Sequence, residues 1–184
     1  MKRLFVAAKT GLSEDFCALS KRLQQNMRFD KIIWVNPDLQ HITLRFLGKT
    51  PDFQISPLCE VLSETAKQTL SFNLQMNKLG VFGSRYAPTT LWFGFNEFSL
   101  FKTLFHTLEE KLVNIGFESQ QGNFVPHLTI GRIKEIDHKK NFWKRIEDSQ
   151  PSFNQSVLID ELHLIQSKLS SDGPSYSVLK SFPF

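Results

Sequence analysis

Two short segments of this 184-residue sequence carry the same side chains at the same spacing: His41-Ile42-Thr43-Leu44 and His127-Leu128-Thr129-Ile130. An imidazole titrates near neutral pH, so of two imidazoles one can hold a proton while the other lacks it. Displacement at phosphorus needs that combination, a base on the attacking water and an acid on the departing oxygen. A hydroxyl beside each ring can donate to phosphate oxygens as charge builds on them. Both segments alternate polar and apolar residues, as half-buried strands do, so each His would share a face with its Thr. On the same rule Arg45 joins the His41 face, while Ile42, Leu44 and Phe46 point away. Arg132 falls on the wrong face for His127 unless a bulge or strand end intervenes.

The remaining side chains point to no competing chemistry. His106 sits in a helical pattern, His138 in a charged turn and His163 in an alternating strand. Cys17 and Cys59 have neither metal nor redox spacing, and no His/Cys/Asp/Glu grouping has zinc-ligand spacing. There is no Walker loop, no G-x-G-x-x-G and no G-x-S-x-G, which leaves P-loop hydrolysis and serine esterase chemistry unsupported. No metal or other cofactor is expected. A net charge of +4 and a pI of about 9.1 favour phosphate-bearing partners. The apolar run near the N-terminus ends at Lys9, too short for a signal-peptide core, and no stretch could cross a membrane. With two thiols and no staples, the expected compartment is the cytoplasm.

The elements that must position the two segments can be read from periodicity. Residues 3–8 read as a buried strand. A helix follows over 13–27, capped by Ser13, with Phe16, Leu19 and Leu23 on one face. The first His segment opens a strand at 41–47. A helix is expected from Pro57 to about Thr69, then strands at 72–78 and 90–95. A second long helix runs from a Ser99 cap to Gly116, with Phe101, Leu104, Phe105, Leu108 and Leu112 as its stripe. The second His segment opens a strand at 127–133. A short helix near 138–147 and strands at 156–166 and 176–182 complete the chain; Lys139-Lys140 and Lys144-Arg145 suit a solvated helix face. The order is α+β, with one loose repeat: long helix, turn, strand beginning with His. The eighteen Phe residues supply enough apolar surface for a core without disulfides.

The sequence resembles the two-histidine (2H) phosphoesterases, and within them the RNA 2′,3′-cyclic phosphodiesterases historically called 2′-5′ RNA ligases. The resemblance runs nearly end to end: Arg3-Leu-Phe-Val-Ala, Trp34, His41-Ile-Thr-Leu-Arg-Phe-Leu-Gly48, Leu79-Gly-Val-Phe82, Leu91-Trp92, Gly116-Phe117, Val125-Pro-His-Leu-Thr-Ile-Gly-Arg132, and the tail from Ser167 through Gly173 and Tyr176 to Phe182. It implies a bilobal α+β fold spanning 1–184, with pseudo-symmetric antiparallel-sheet lobes, flanking helices, a central groove and one His-x-Thr-x motif per lobe. It implies that His41 is the proton donor, His127 the proton acceptor, and Thr43 and Thr129 the phosphate holders. Arg132 would neutralise phosphate, Phe5 would stack on a base and Arg45 would touch the RNA backbone. The implied partners are RNA ends bearing 2′,3′-cyclic phosphates, tRNA fragments among their sources, acted on by a monomer without an obligate protein partner; reversal would join ends through a 2′-5′ linkage. Leu39-Gln40 before the first His, and Thr89 after Pro88, depart from the usual pattern. Two alternatives stay open: action on small cyclic or 2′-5′ nucleotides, and RNA binding without catalysis.

Overall fold

The computed structural model describes residues 1–170 and 173–184; positions 171 and 172, inside the tail that carries part of the resemblance, lie outside the described residues. The chain runs β1 (Lys2–Lys9), α1 (Glu14–Asn26), β2 (Lys31–Trp34), β3 (His41–Thr50), α2 (Ile55–Lys67), β4 (Phe72–Gly83), β5 (Pro88–Phe95), α3 (Ser99–Asn114), β6 (His127–Glu135), α4 (Lys139–Asp148), β7 (Gln155–Ile159), β8 (Glu161–Ser170) and β9 (Gly173–Pro183). Nine strands form one curled, antiparallel sheet in the order β7-β4-β5-β6-β3-β1-β8-β9, with β2 pairing β6 off that path. Outward from the centre, β3-β1-β8-β9 matches β6-β5-β4-β7. Each half threads a long helix between its two inner strands, α1 between β1 and β3, α3 between β5 and β6. The halves join where Ile42 on β3 pairs with Leu128 on β6.

One face of the sheet carries the helices. Leu4, Val6, Ala8, Ile42, Leu44, Leu128 and Ile130 from the inner strands share a single core with the buried faces of all four helices. Removing this much apolar surface from water is the main favourable term in folding. The expected stripes are the buried ones: Phe16, Leu19 and Leu23 on α1, and Phe101, Leu104, Phe105, Leu108 and Leu112 on α3. Ser13 caps α1, its hydroxyl accepting the Phe16 N–H at 3.4 Å. Gly116 ends α3 at φ 90°, letting Phe117 donate back to the Leu112 carbonyl at 3.1 Å.

Four local expectations need correction. Ser99 is the first residue of α3 rather than its cap, and the Glu97 carboxylate accepts its N–H at 2.7 Å. The strand expected at 156–166 is two strands, β7 and β8, broken at Asp160, with β7 at one edge of the sheet and β8 in the opposite half between β1 and β9. The face of α4 is not wholly solvated: Arg145 reaches the buried Asp30 carboxylate at 3.0 Å and pins the helix beside β2. Strand β2 was not expected from periodicity, because its four residues are too few to show a period.

Candidate active site

The second face of the sheet carries the chemistry. At the Ile42–Leu128 junction both apolar side chains are fully buried toward the helices, so their neighbours His41, Thr43, His127 and Thr129 turn to the opposite face. An antiparallel register centred on that pair sets His41 toward Thr129 and Thr43 toward His127. His41 and His127 are then diagonal neighbours across the two strands, a relation that spans roughly 7–8 Å, which a single phosphate can bridge. All four side chains are half-buried.

Each imidazole is tethered by its own chain. His41 Nδ1 lies 2.7 Å from the Leu39 carbonyl oxygen, and His127 Nδ1 lies 2.8 Å from that of Val125. A carbonyl only accepts, so Nδ1 carries the proton in both rings and Nε2 is the nitrogen left for a substrate. Aromatic rings brace them from the side. Phe5 and Tyr176 pack on His41 at centroid distances of 4.8 and 5.2 Å, while Phe82 and Trp92 pack on His127 at 4.7 and 6.1 Å. Trp92 itself lies flat across Gly80 and Gly94, where any Cβ would overlap its ring.

Burial pushes the His41 imidazole below the ordinary histidine value; the Leu39 carbonyl opposes this, and the positive charges of His127, Arg132 and Lys9 add to it. Burial likewise lowers His127, opposed by the Val125 carbonyl and reinforced by Arg132. Both rings therefore feel Arg132. Near neutral pH they are poised as bases, and a bound phosphate anion would restore the protonated form of one.

Arg132 reaches this face through a bulge. Leu91 pairs with Gly131 but Trp92 with Thr129, so Ile130 is an extra residue on β6. The same irregularity occurs on β3, where Val6 pairs with Arg45 but Ala7 with Thr43, leaving Leu44 extra. Both strands consequently show one burial order: half-buried His, buried residue, half-buried Thr, two buried residues, exposed residue. The exposed residue is Phe46 on one strand and Arg132 on the other.

That bulge overturns the expectation for Arg45. The phase change after Leu44 carries Arg45 to the helix side, where it is 8% exposed. Its Nε lies 2.6 Å from Glu109 Oε2 on α3, and its remaining nitrogens donate to the Phe46 and Glu118 carbonyls. It cannot touch an RNA backbone there. Phe46, expected to face the core, is exposed instead. The base-stacking expectation for Phe5 also fails: the ring is 2% exposed and enclosed by His41, Phe46 and Tyr176, so it supports His41 and offers no open face. Periodicity and spacing assign no role to Tyr176, Phe82 or Trp92. Only their places in the quoted resemblance pointed to them, because strand pairing far along the chain brings them to the histidines.

His163 is a strand residue as expected, buried, with Nδ1 2.8 Å from Ser181 Oγ. His106 and His138 are exposed on α3 and before α4. Among the described residues, no three His, Cys, Asp or Glu side chains gather to hold a metal ion. Among the described residues, no helix is long and apolar enough to cross a membrane.

Comparison with known proteins identifies the family. Residues 18–170 match the model of the 2′-5′ RNA ligase superfamily. A Methanocaldococcus jannaschii protein named RNA 2′,3′-cyclic phosphodiesterase is 30% identical over 98% of this chain and 99% of its own length. A Geobacillus stearothermophilus protein of the same name is 31% identical over 82% of this chain; the match spans 47% of that longer relative. The crystal structure of TT0787 from Thermus thermophilus superposes with a TM-score of 0.79 at 23% identity, covering 98% of this chain and 97% of that one, which shows a common fold. With most of its length matched to the family model, and its paired histidines meeting on one face of the sheet, the chain belongs to the 2′-5′ RNA ligase superfamily.

Proposed function

We propose that this chain opens 2′,3′-cyclic phosphates at RNA ends to leave a 2′-phosphate, with His41 and His127 as a metal-free acid–base pair. The observation that carries this is the pair of matched tethers, Nδ1 of each ring on the carbonyl two residues before it, which leaves both Nε2 atoms free for a substrate. Relatives named RNA 2′,3′-cyclic phosphodiesterase, near 30% identity over most of the chain, support the enzyme class.

Neutral His127 Nε2 takes a proton from water as the water oxygen bonds to phosphorus. The bond from phosphorus to the 3′-oxygen breaks, and protonated His41 gives its Nε2 proton to that oxygen. Thr43 and Thr129 donate to the non-bridging oxygens. Arg132 balances the charge they gather. The pair ends with His127 protonated and His41 neutral, and exchange with solvent resets it. The reverse course, with a 5′-hydroxyl in place of water and roles exchanged, joins ends through a 2′-5′ linkage. We further take the protein to work as a cytoplasmic monomer on RNA fragments; its two free cysteines are compatible with a reducing compartment.

The test is one incubation with an RNA ending in a 2′,3′-cyclic phosphate, in EDTA. The expected product is the 2′-phosphate, removable by phosphatase. An RNA end left intact, or a 3′-phosphate product, would overturn the assignment. RNA binding with no turnover on any cyclic phosphate would favour a non-catalytic role.

A further inference from the structure

Across Phe5 and Tyr176 from His41 lies a recess of about 390 Å³ lined by Arg3, Phe46, Gly48, Arg132, Ser167 and Tyr176. We propose that it binds the nucleotide on the 5′ side of the cyclic phosphate, so that the protein takes a single-stranded RNA chain in preference to a mononucleotide. This rests on the phosphodiesterase reading of the histidine pair.

The argument begins with Phe46. The bulge at Leu44 turns this ring out of the core, leaving it 63% exposed on the face of the reactive groups. An aromatic ring held in that position is a platform for a nucleobase. Phe5 packs against it, the ring centroids 5.9 Å apart. Gly48 keeps the adjoining floor open, since a side chain built there would meet nothing within 4 Å. Two guanidinium groups border the recess from different strands, Arg3 on β1 and Arg132 on β6. Arg132 stands within charge reach of both imidazoles, which assigns it to the reacting phosphate. Arg3 lies farther along, beside β3 at the Lys49 register, and is exposed. A second phosphate held there would belong to the preceding linkage of the same strand. Planar guanidinium groups pair well with phosphate oxygens, and Ser167 adds a hydroxyl.

Continuity with the reaction centre comes from Tyr176. Its ring meets His41 edge-on at 5.2 Å and also lines the recess. A smaller recess, on the side of Lys9 and Gln40, includes Asp38, whose carboxylate opposes a phosphate. Among the described residues, none that lines the Arg3 recess is acidic, and its volume is in the range of ordinary ligand sites.

The experiment compares two substrates, cytidine 2′,3′-cyclic monophosphate and an RNA trinucleotide ending in a 2′,3′-cyclic phosphate. The wild type is expected to show the higher kcat/KM on the trinucleotide. Arg3→Ala should lower that value roughly tenfold, mainly through KM, with the mononucleotide unchanged within about twofold. Arg3→Lys should restore part of the loss. Phe46→Leu should also reduce the trinucleotide preference, and Phe46→Trp should retain it. Equal losses on both substrates, or none on either, overturn the subsite. A binding arm uses fluorescence anisotropy of a labelled RNA trinucleotide ending in a 2′-phosphate and needs no turnover. If the wild type turns over neither substrate, weaker binding by Arg3→Ala upholds the subsite while the catalytic reading falls; unchanged binding removes both.

Discussion

Arg45 and Glu109 form a buried ion pair, Nε to Oε2 at 2.6 Å, with side-chain exposures of 10% and 12%. The same carboxylate accepts the N–H of Gln120, and the same guanidinium donates to the Glu118 carbonyl. The pair therefore ties β3, which carries His41, to α3 and to the loop that leads into His127. Leaving one partner buried alone costs about 3–5 kcal/mol. Glu109→Ala is expected to lower stability by that amount in urea unfolding. The double change Arg45→Met/Glu109→Leu should recover a large part of it, because an apolar pair leaves no orphaned charge. A single variant as stable as wild type would contradict the tie.

Removing either imidazole should be severe and non-additive. His41→Ala or His127→Ala alone is expected to reduce kcat on a cyclic phosphate end by ~10²–10⁴-fold, the usual worth of positioned acid–base groups. The double variant should be little worse than the weaker single one, because the two act in one step. Rates from quenched-flow or gel assays decide this; losses that multiply would point to independent roles.

The pH profile follows from the direction of the shifts. Activity falls on the acid side as the base becomes protonated and on the alkaline side as the acid loses its proton. Burial and neighbouring positive charge hold both rings below the ordinary value of about 6.5. The kcat/KM optimum of the free enzyme is therefore expected below that value, with decline through neutral pH. Arg132→Gln removes a cation that lowers both rings, so both limbs should move to higher pH. The loss of a charge-assisted contact, about 1.5–3 kcal/mol, should also reduce kcat/KM by roughly 10–100-fold. An optimum that stays in place in this variant would separate Arg132 from the pair.

Gly80 and Gly94 keep Trp92 flat beside His127. A Cβ at Gly80 overlaps the six-membered part of the ring, so Gly80→Ala must displace it. The expected cost is about 1–3 kcal/mol of stability, as for other overpacked sites. Because the displaced ring also braces His127, kcat should fall more than KM rises. Thermal unfolding together with steady-state kinetics tests this; loss of stability with intact kcat would make Trp92 a packing residue only.

The amino-acid sequence alone determined what repeats locally. Helical stripes, the Ser13 cap and the Gly116 stop are set by residues within a few positions of one another, and all are found as read. The two His-x-Thr segments were legible for the same reason, since alternation over four residues needs no knowledge of a partner strand. Tertiary structure alone decided which strands meet. It joined Ile42 to Leu128 across more than eighty residues, separated β7 from β8 into opposite halves of the sheet, and brought Tyr176 to His41. It also decided the bulges, which arise from a mismatch between paired strands and leave no mark in either strand by itself. For that reason alternation exchanged the faces of Arg45 and Phe46, one turned inward to Glu109 and the other outward to the groove.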